Sequence, residues 1–126
     1  MTEPLTPAEL TAYLGRIGHA APLEPDLATL TALHAAHQRS IPFENLEVQF
    51  GQVPTLDPDA AFAKLVTQRR GGWCYEQNGL FGRALTALGF AVTRLGAGVL
   101  RELRGDAFMG THLALLVHLE RDYLAD

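Results

Sequence analysis

The feature that most constrains the fold is a change in hydrophobic period at Gly89. Before Gly89, apolar residues recur at a spacing of three or four, which is typical of helices that bury one face. After Gly89, apolar and polar residues alternate, which is typical of strands with one buried face. A run of helices followed by a run of strands indicates an α+β fold, in which the two kinds of element are segregated along the chain.

Local capping signals predict four helices before Gly89. The clearest is Thr6-Pro7-Ala8-Glu9, which combines a capping box with proline at the first helical position, and this first helix should end at Gly18. Asp26 is the expected cap of the second helix. The four helices are predicted at about residues 7–17, 26–40, 57–66 and 73–88. The segment 41–54 is predicted to be extended or looped, because Pro42 restricts the residue before it.

Three strands are predicted after Gly89, at about residues 90–100, 111–119 and 123–126, separated by a polar loop and a turn. A sheet of this size has an unpaired edge, which favours aggregation or pairing with a second copy unless something covers it. The sequence therefore predicts a helical bundle domain over residues 1–89 and an incomplete antiparallel sheet domain over residues 90–126. We interpret the chain as part of a longer polypeptide.

Composition and charge exclude several classes of protein. The net charge is −4 and the ten basic residues are scattered, whereas a nucleic-acid-binding protein shows a basic stripe. The longest apolar run, residues 113–117, is too short to span a bilayer. The first ten residues lack the pattern of a secretory signal. A single cysteine cannot form an internal disulfide. These features predict a cytoplasmic protein without nucleic-acid or membrane partners.

The only cysteine, Cys74, lies in the stretch Arg70-Gly71-Gly72-Trp73-Cys74-Tyr75-Glu76-Gln77-Asn78. A thiol is a weak nucleophile at neutral pH, and a helix N-terminus or a nearby imidazolium lowers its pKa. Gly71 and Gly72 would place the sulfur in the first turn of the fourth helix and leave room for a substrate to approach. A lone cysteine can equally be a small buried core residue, so spacing alone leaves both interpretations open.

A thiol nucleophile needs a base, and the chain has five histidines. His112 opens the second predicted strand beside a loop, where active-site residues are often displayed, and is favoured over His118. A third group must hold the imidazole tautomer, and spacing leaves Asp106, Asp122 and Asp126 all eligible.

His34 and His37 lie three residues apart on the second predicted helix. We interpret them as surface residues rather than a metal pair, because no carboxylate or cysteine lies nearby at ligand spacing. The sequence therefore predicts no metal site.

The sequence around Cys74, together with three other segments of the chain, resembles the arylamine N-acetyltransferase family. The family motif Arg-Gly-Gly-x-Cys-x-Glu-x-Asn stands complete at residues 70–78, and its Pro-Phe-Glu-Asn stands at residues 42–45. The strand at residues 111–117 resembles the one that carries the family's histidine, which falls on His112. The segment 123–126 resembles the lead-in to the family's aspartate, which falls on Asp126. The resemblance extends from Tyr13 onward.

The resemblance implies a ping-pong acetyl transfer. Cys74 would be acetylated by acetyl-coenzyme A, His112 would activate the thiol as an ion pair, and Asp126 would orient His112. An arylamine, arylhydrazine or hydrazine would then accept the acetyl group. Acetyl-coenzyme A would be a substrate, and no permanently bound cofactor is implied.

The resemblance also implies roles around the nucleophile. Phe43 would line the acceptor pocket, while Trp73 and Tyr75 flank Cys74, where they either bias selectivity or only pack. Glu44 and Arg70 would form a partly buried ion pair that supports the catalytic loop, and we favour a structural role for this pair over a chemical one.

Family members are longer and complete an antiparallel β-barrel in a cysteine-protease-like arrangement, followed by a third α/β domain. The resemblance thus implies that this chain holds the start of the barrel and could be inactive as a fragment. Two other hypotheses remain: a papain-like or transglutaminase-like hydrolase with the same Cys, His, Asp order, and a non-catalytic truncated relative.

Overall fold

The computed structural model describes residues 3–20 and 23–126. The helices in these ranges are α1 (Pro7–Ile17), α2 (Leu27–Ser40), α3 (Leu46–Gln49), α4 (Pro58–Phe62), α5 (Cys74–Ala87) and α6 (Arg101–Arg104). The strands are β1 (Ala91–Ala97), β2 (His112–His118) and β3 (Asp122–Ala125), which form one antiparallel sheet in the order β1-β2-β3. The predicted α+β class is confirmed: α1 to α5 precede the sheet, the four-residue α6 lies between β1 and β2, and the sheet is open.

The predicted capping signals lie where the first two helices begin. The Thr6 hydroxyl accepts a hydrogen bond from the Glu9 N–H at 3.3 Å, and the Glu9 carboxylate accepts one from the Thr6 N–H at 2.8 Å. Asp26 Oδ1 accepts from the Thr29 N–H at 2.8 Å. Gly18 ends α1 in the left-handed conformation, with a φ of 70°. Each cap satisfies backbone groups that a helix end leaves unpaired.

Two segments predicted as loops contain short helices. The segment 41–54 includes α3, and the loop after β1 includes α6 and a 3₁₀ turn at Asp106–Phe108. The loop predictions are wrong at these points, because four-residue elements are too short to show a hydrophobic period. The first strand also ends at Ala97 rather than near Leu100, which adopts a left-handed φ of 56°.

The third predicted helix changes form midway. It begins at Pro58, capped by Asp57, and continues after Phe62 as a π-helical turn at Ala63–Thr67. The Gln68 N–H donates to the Ala63 carbonyl at 2.8 Å, across five residues. A π turn displaces the following side chains around the helix axis and is frequent at functional sites.

The core lies between the helices and one face of the sheet. The alternation along the second strand predicts Leu113, Leu115, Val117 and Leu119 on one side. The first three are buried in β2, Leu115 and Val117 completely, whereas Leu119 is half-buried just after the strand. Helix α5 packs on this face at Gly82, where a Cβ atom would lie 3.3 Å from the Leu115 side chain. The core contains side chains from both predicted domains, and the division at residue 89 stays a prediction. Within the described ranges, no helix is long and apolar enough to cross a bilayer.

Candidate active site

Cys74 is the first residue of α5, and it is partly exposed rather than sealed in the core. It lies on the walls of two cavities. One, of about 550 Å³, is also lined by Phe43, Trp73 and His112. The other, of about 350 Å³, is also lined by residues of α2 and by Asp126. Because a helix N-terminus favours an anion, this position suits a nucleophilic thiolate.

His112 and Asp126 are in hydrogen-bonding contact, and each lines a cavity that Cys74 also lines. His112 Nε2 lies 2.9 Å from each of the two Asp126 carboxylate oxygens. An Nε2–H that donates to Asp126 leaves Nδ1 as the ring nitrogen able to take a proton. His112 opens β2, and Asp126 follows β3, which pairs with β2 antiparallel. The hairpin therefore brings both residues to the edge of the sheet that faces the start of α5.

The other candidates from the sequence have different partners. His118 Nδ1 lies 2.7 Å from the Asp122 carboxylate, at the opposite end of β2 from His112. Asp106 accepts a hydrogen bond from Arg101 at 2.7 Å. The structure thus brings His112 and Asp126 together, while His118, Asp122 and Asp106 have other partners, and the catalytic role of His112 and Asp126 stays a prediction.

Asn78 joins the two sides of the site. Its side-chain nitrogen donates to Asp126 Oδ1 at 2.8 Å and to the Leu113 carbonyl at 2.6 Å. Asn78 lies one helical turn after Cys74, on the same face of α5. It belongs to the motif noted in the sequence, but no role could be assigned to it there. The four-residue spacing from Cys74 is the signal that could have pointed to it.

His37 is buried, with 5% of its surface exposed, so the interpretation of His37 as a surface residue is wrong. The Tyr13 hydroxyl donates to His37 Nδ1 at 2.8 Å, and His37 Nε2 donates to Gln77 Oε1 at 2.7 Å. Gln77 in turn donates to the Pro42 carbonyl at 2.9 Å. The helical spacing of His37 from Leu33 and Leu30 on the apolar face of α2 could have revealed this burial.

The protonation states of His37 and Tyr13 follow from their burial. Burial lowers the pKa of His37 to about 4, so its ring is neutral at pH 7. Burial also raises the pKa of Tyr13 far above its usual range, so its hydroxyl stays protonated and donates. The hydrogen-bonded series Tyr13–His37–Gln77–Pro42 therefore joins neutral groups only, and it connects α1, α2 and α5 to the loop beside Cys74.

His34 is half-buried beside the end of β3. Its Nε2 lies 3.2 Å from the main-chain oxygen of Asp126, which also accepts a hydrogen bond from Gln38 at 2.8 Å. No group of three residues able to hold a metal ion occurs in residues 3–20 and 23–126.

Gly71 and Gly72 pack tightly against their neighbours. A Cβ atom on Gly71 would lie 1.9 Å from the Pro42 carbonyl oxygen, and one on Gly72 would lie 2.7 Å from Glu76 Oε1. Gly72 also forms a bridge with Phe43. The structure thus gives a different reason for the two glycines from the open approach inferred from the sequence: they let two loops lie in contact beneath the nucleophile.

A group of five charged side chains supports this loop. The predicted pair of Arg70 and Glu44 forms at 2.7 Å. Glu47 extends it, lying 3.4 Å from Arg70 and 3.1 Å from the Lys64 amine, which also lies 3.0 Å from Glu76. Burial lowers the pKa of Lys64, but the hydrogen bonds and charges of Glu76 and Glu47 outweigh it and leave this pKa raised. Sequence reasoning found only the first pair.

The three predicted substrate residues are placed differently. Phe43 is 71% exposed and lines both cavities that contain Cys74. Trp73 lines the larger one. The Tyr75 hydroxyl instead donates to the Gly110 carbonyl, and Tyr75 lines a separate cavity with Glu76 and Arg94. The position of Tyr75 therefore favours packing over substrate contact.

A thiol at a helix N-terminus, sharing a cavity wall with an imidazole held by a carboxylate, is typical of enzymes that transfer acyl groups through cysteine. The chain belongs to the arylamine N-acetyltransferase family, because the family model described as N-acetyltransferase matches residues 26–126.

Known relatives agree with this membership. The arylamine N-acetyltransferase of Mycolicibacterium smegmatis is 53% identical over 100 residues, 79% of this chain and 36% of the relative. The solved enzyme from Salmonella typhimurium superposes with a TM-score of 0.88 at 39% identity, covering 97% of this chain and 45% of that one. A Mycobacterium marinum arylamine N-acetyltransferase in complex with CoA gives 0.81 at 41% identity, over 91% and 44%. The chain therefore spans less than half the length of these relatives.

Proposed function

We propose that this chain carries the thiol acyl-transfer centre of an arylamine N-acetyltransferase. The reaction moves an acetyl group from acetyl-coenzyme A to the nitrogen of an arylamine, arylhydrazine or hydrazine. The observation that carries the proposal is the contact of His112 with both Asp126 carboxylate oxygens, because His112 lines one cavity with Cys74 and Asp126 lines the other. The M. marinum relative in complex with CoA supports the donor class.

In the first half-reaction Cys74 gives its thiol proton to His112 Nδ1, and the sulfur bonds to the thioester carbonyl carbon. The bond from that carbon to the coenzyme A sulfur then breaks, and coenzyme A leaves as a thiol with the proton from the imidazolium. Asp126 stays ionised and stabilises the imidazolium. Exchange between thioesters is nearly balanced, so a thiolate is needed more than a strong acid.

In the second half-reaction the amine nitrogen attacks the acetyl carbonyl on Cys74. His112 takes the amine proton, the bond between the carbonyl carbon and Sγ breaks, and the sulfur regains that proton. Phe43 presents an exposed ring to the cavity and suits stacking against an aromatic acceptor. Trp73 contributes a second aromatic wall. Arg70 and Glu44 hold the loop and take no part in the chemistry.

Three further expectations, on the fold, the location and the assembly of the protein, accompany this proposal. The open sheet would be the beginning of an antiparallel barrel in a cysteine-protease-like arrangement, the protein would work in the cytoplasm, and its exposed strand edge could pair with a second copy. The greater length of the relatives supports the first of these.

Mass spectrometry tests the proposal directly. After the chain is mixed with acetyl-coenzyme A, we expect one acetyl group on the peptide that contains Cys74. An added arylamine should remove this group and yield the N-acetyl product. The Cys74→Ser variant should gain no thioester, since it has no thiol.

The alternatives give different results. Loss of the acetyl group to water at the same rate with and without amine would indicate a hydrolase. A chain whose Cys74 reacts with iodoacetamide but never with acetyl-coenzyme A would overturn the proposal for these 126 residues.

A further inference from the structure

The turn that carries Cys74 rests on a buried carboxylate. Glu76 is 3% exposed, and its Oε1 accepts a hydrogen bond from the Trp73 N–H at 3.0 Å. This N–H belongs to the residue just before the nucleophile. Gly72 provides the space, since a Cβ atom there would lie 2.7 Å from the same oxygen. Glu76 thus fixes the backbone on the N-terminal side of the sulfur.

A buried amine neutralises this carboxylate. Lys64 is 8% exposed, and its Nζ lies 3.3 and 3.0 Å from the two Glu76 oxygens and 3.1 Å from Glu47 Oε2. An ammonium group has three donors, and these contacts use them. Lysine is rarely buried unless it is paired. Lys64 reaches this position from the π-helical turn at Ala63–Thr67.

We propose that Lys64 is a positioning residue for Cys74. Its amine holds the Glu76 carboxylate against the Trp73 N–H, and its charge cancels a negative charge that would otherwise lie within the first turn of α5. The inference rests on the proposed function in one respect, namely that Cys74 is the reacting group. It adds a residue outside the family motif to the machinery that keeps the sulfur reactive.

Other charged groups face this turn, and the test must separate them from Lys64. They come from α2, from the loop before α3, from α3, from the segment after the π turn, and from the strands and their ends: His34, His37, Glu44, Glu47, Arg70, Arg94, His112 and Asp126. Each is unchanged in a Lys64 variant. A difference from wild type therefore reports the Lys64 charge and the hydrogen bonds that it makes.

The pH profile of Cys74 alkylation by iodoacetamide is the measurement. Lys64→Met removes a cation and leaves the buried Glu76 carboxylate and the half-buried Glu47 carboxylate without it, so we expect the alkylation midpoint to rise by about one pH unit. Lys64→Arg keeps the charge, so its midpoint should stay within about 0.3 pH units of wild type. Lys64→Met combined with Glu76→Gln removes both charges and keeps an acceptor for the Trp73 N–H, and its midpoint should return toward wild type.

Arg83 supplies a matched control. It is a buried cation in α5, the helix that begins at Cys74, and it is 7% exposed. Its ion-pair partners Glu9 and Asp59 lie in α1 and α4. It is nine residues after Cys74, about 13 Å along the helix axis. Arg83→Met should lower the melting temperature as Lys64→Met does, but should leave the alkylation midpoint unchanged.

The outcomes separate a positioning role from a structural one. An unchanged midpoint in folded Lys64→Met, with a melting temperature lowered as in Arg83→Met, would overturn the proposal. If Lys64→Met does not fold, Lys64→Gln takes its place: it keeps a donor for the Glu76 carboxylate but removes the charge, so its midpoint should also rise, and no change there would overturn the proposal. Alkylation does not need acetyl-coenzyme A, so a failure of acetylation leaves this test intact.

Discussion

The two sides of the candidate site are held in different ways. On the nucleophile side, the turn that carries Cys74 rests on the buried pair of Lys64 and Glu76 and on the hydrogen-bonded chain through His37. On the base side, the side chains of His112 and Asp126 are 19% and 45% exposed, at the ends of two strands. Solvent screens an exposed pair, whereas a buried pair is costly to break.

This difference indicates where changes should act. Altering the nucleophile side should lower the free energy of unfolding, because buried polar groups would lose their partners, and at Lys64 it should change the reactivity of Cys74 as well. Altering the base side should mainly change the reactivity of Cys74, because the exposed pair contributes little to stability. The predictions below test this division, from the largest expected effect to the smallest.

The largest effect is expected from protonation of His37. Burial first of all lowers its pKa in the folded chain to about 4, against 6.5 for the ordinary group. Between these two pH values the unfolded chain binds more protons than the folded chain. The contribution of His37 to the free energy of unfolding is therefore fully present above pH 6.5 and is lost as the pH falls toward 4. The loss should approach about 3 kcal/mol, at 1.36 kcal/mol per pKa unit. Urea unfolding at pH 7, 5.5 and 4.5 measures it.

The control for this loss is His37→Gln, which keeps polar atoms in the cavity but cannot gain a proton. Glu9 and Asp26 also have lowered pKa values, chiefly from hydrogen bonds to the Thr6 and Thr29 backbone, and they add a slope at lower pH in both proteins. The variant should therefore lose the slope only in the window between pH 6.5 and 4. Equal slopes in the two proteins would show that His37 does not control acid stability.

On the base side, His112→Ala should slow alkylation of Cys74 at pH 6 about 10- to 100-fold, because the thiolate loses its ion-pair partner. The free energy of unfolding should change by less than about 1 kcal/mol, as expected for an exposed pair. Stopped-flow alkylation and urea unfolding measure the two effects.

His118→Ala is the matched control for this variant, since His118 lies on the same strand and also pairs with an aspartate, Asp122. It should leave the alkylation rate unchanged. If Cys74 of His112→Ala is alkylated at pH 6 as rapidly as in the wild type, then His112 does not activate the thiol.

Much of the fold could be predicted because its signals are local. The capping box at Thr6, the Asp26 cap and the glycine stop at Gly18 act within a few residues, and each helix they predict is present. The alternation in β2 likewise predicted its buried face. Position in the chain favoured His112 over His118 but left three aspartates eligible, and the family resemblance then pointed to Asp126, which the structure brings together with His112.

The support beneath the nucleophile could not be predicted in this way. Lys64 is twelve residues from Glu76, and His37 is 24 and 40 residues from its two partners. A polar side chain is stable in the interior only when another element supplies its hydrogen bonds. The burial of such a residue is therefore a property of the assembled fold. Asn78 is the intermediate case, since its motif position was visible but its partner was not.

The smallest effect is expected from Asn78, which connects the two sides. Asn78→Ala removes the hydrogen bonds to the Asp126 carboxylate and the Leu113 carbonyl. It should cost about 1–2 kcal/mol of stability. We also expect alkylation at pH 6 to slow about threefold, because Asp126 would hold His112 less firmly. Gln38→Ala is the control: Gln38 donates to the main-chain oxygen of Asp126 and not to its carboxylate. If Asn78→Ala and Gln38→Ala slow the alkylation of Cys74 equally, then the position of the Asp126 backbone controls the reactivity of Cys74, and the orientation of the Asp126 carboxylate by Asn78 does not.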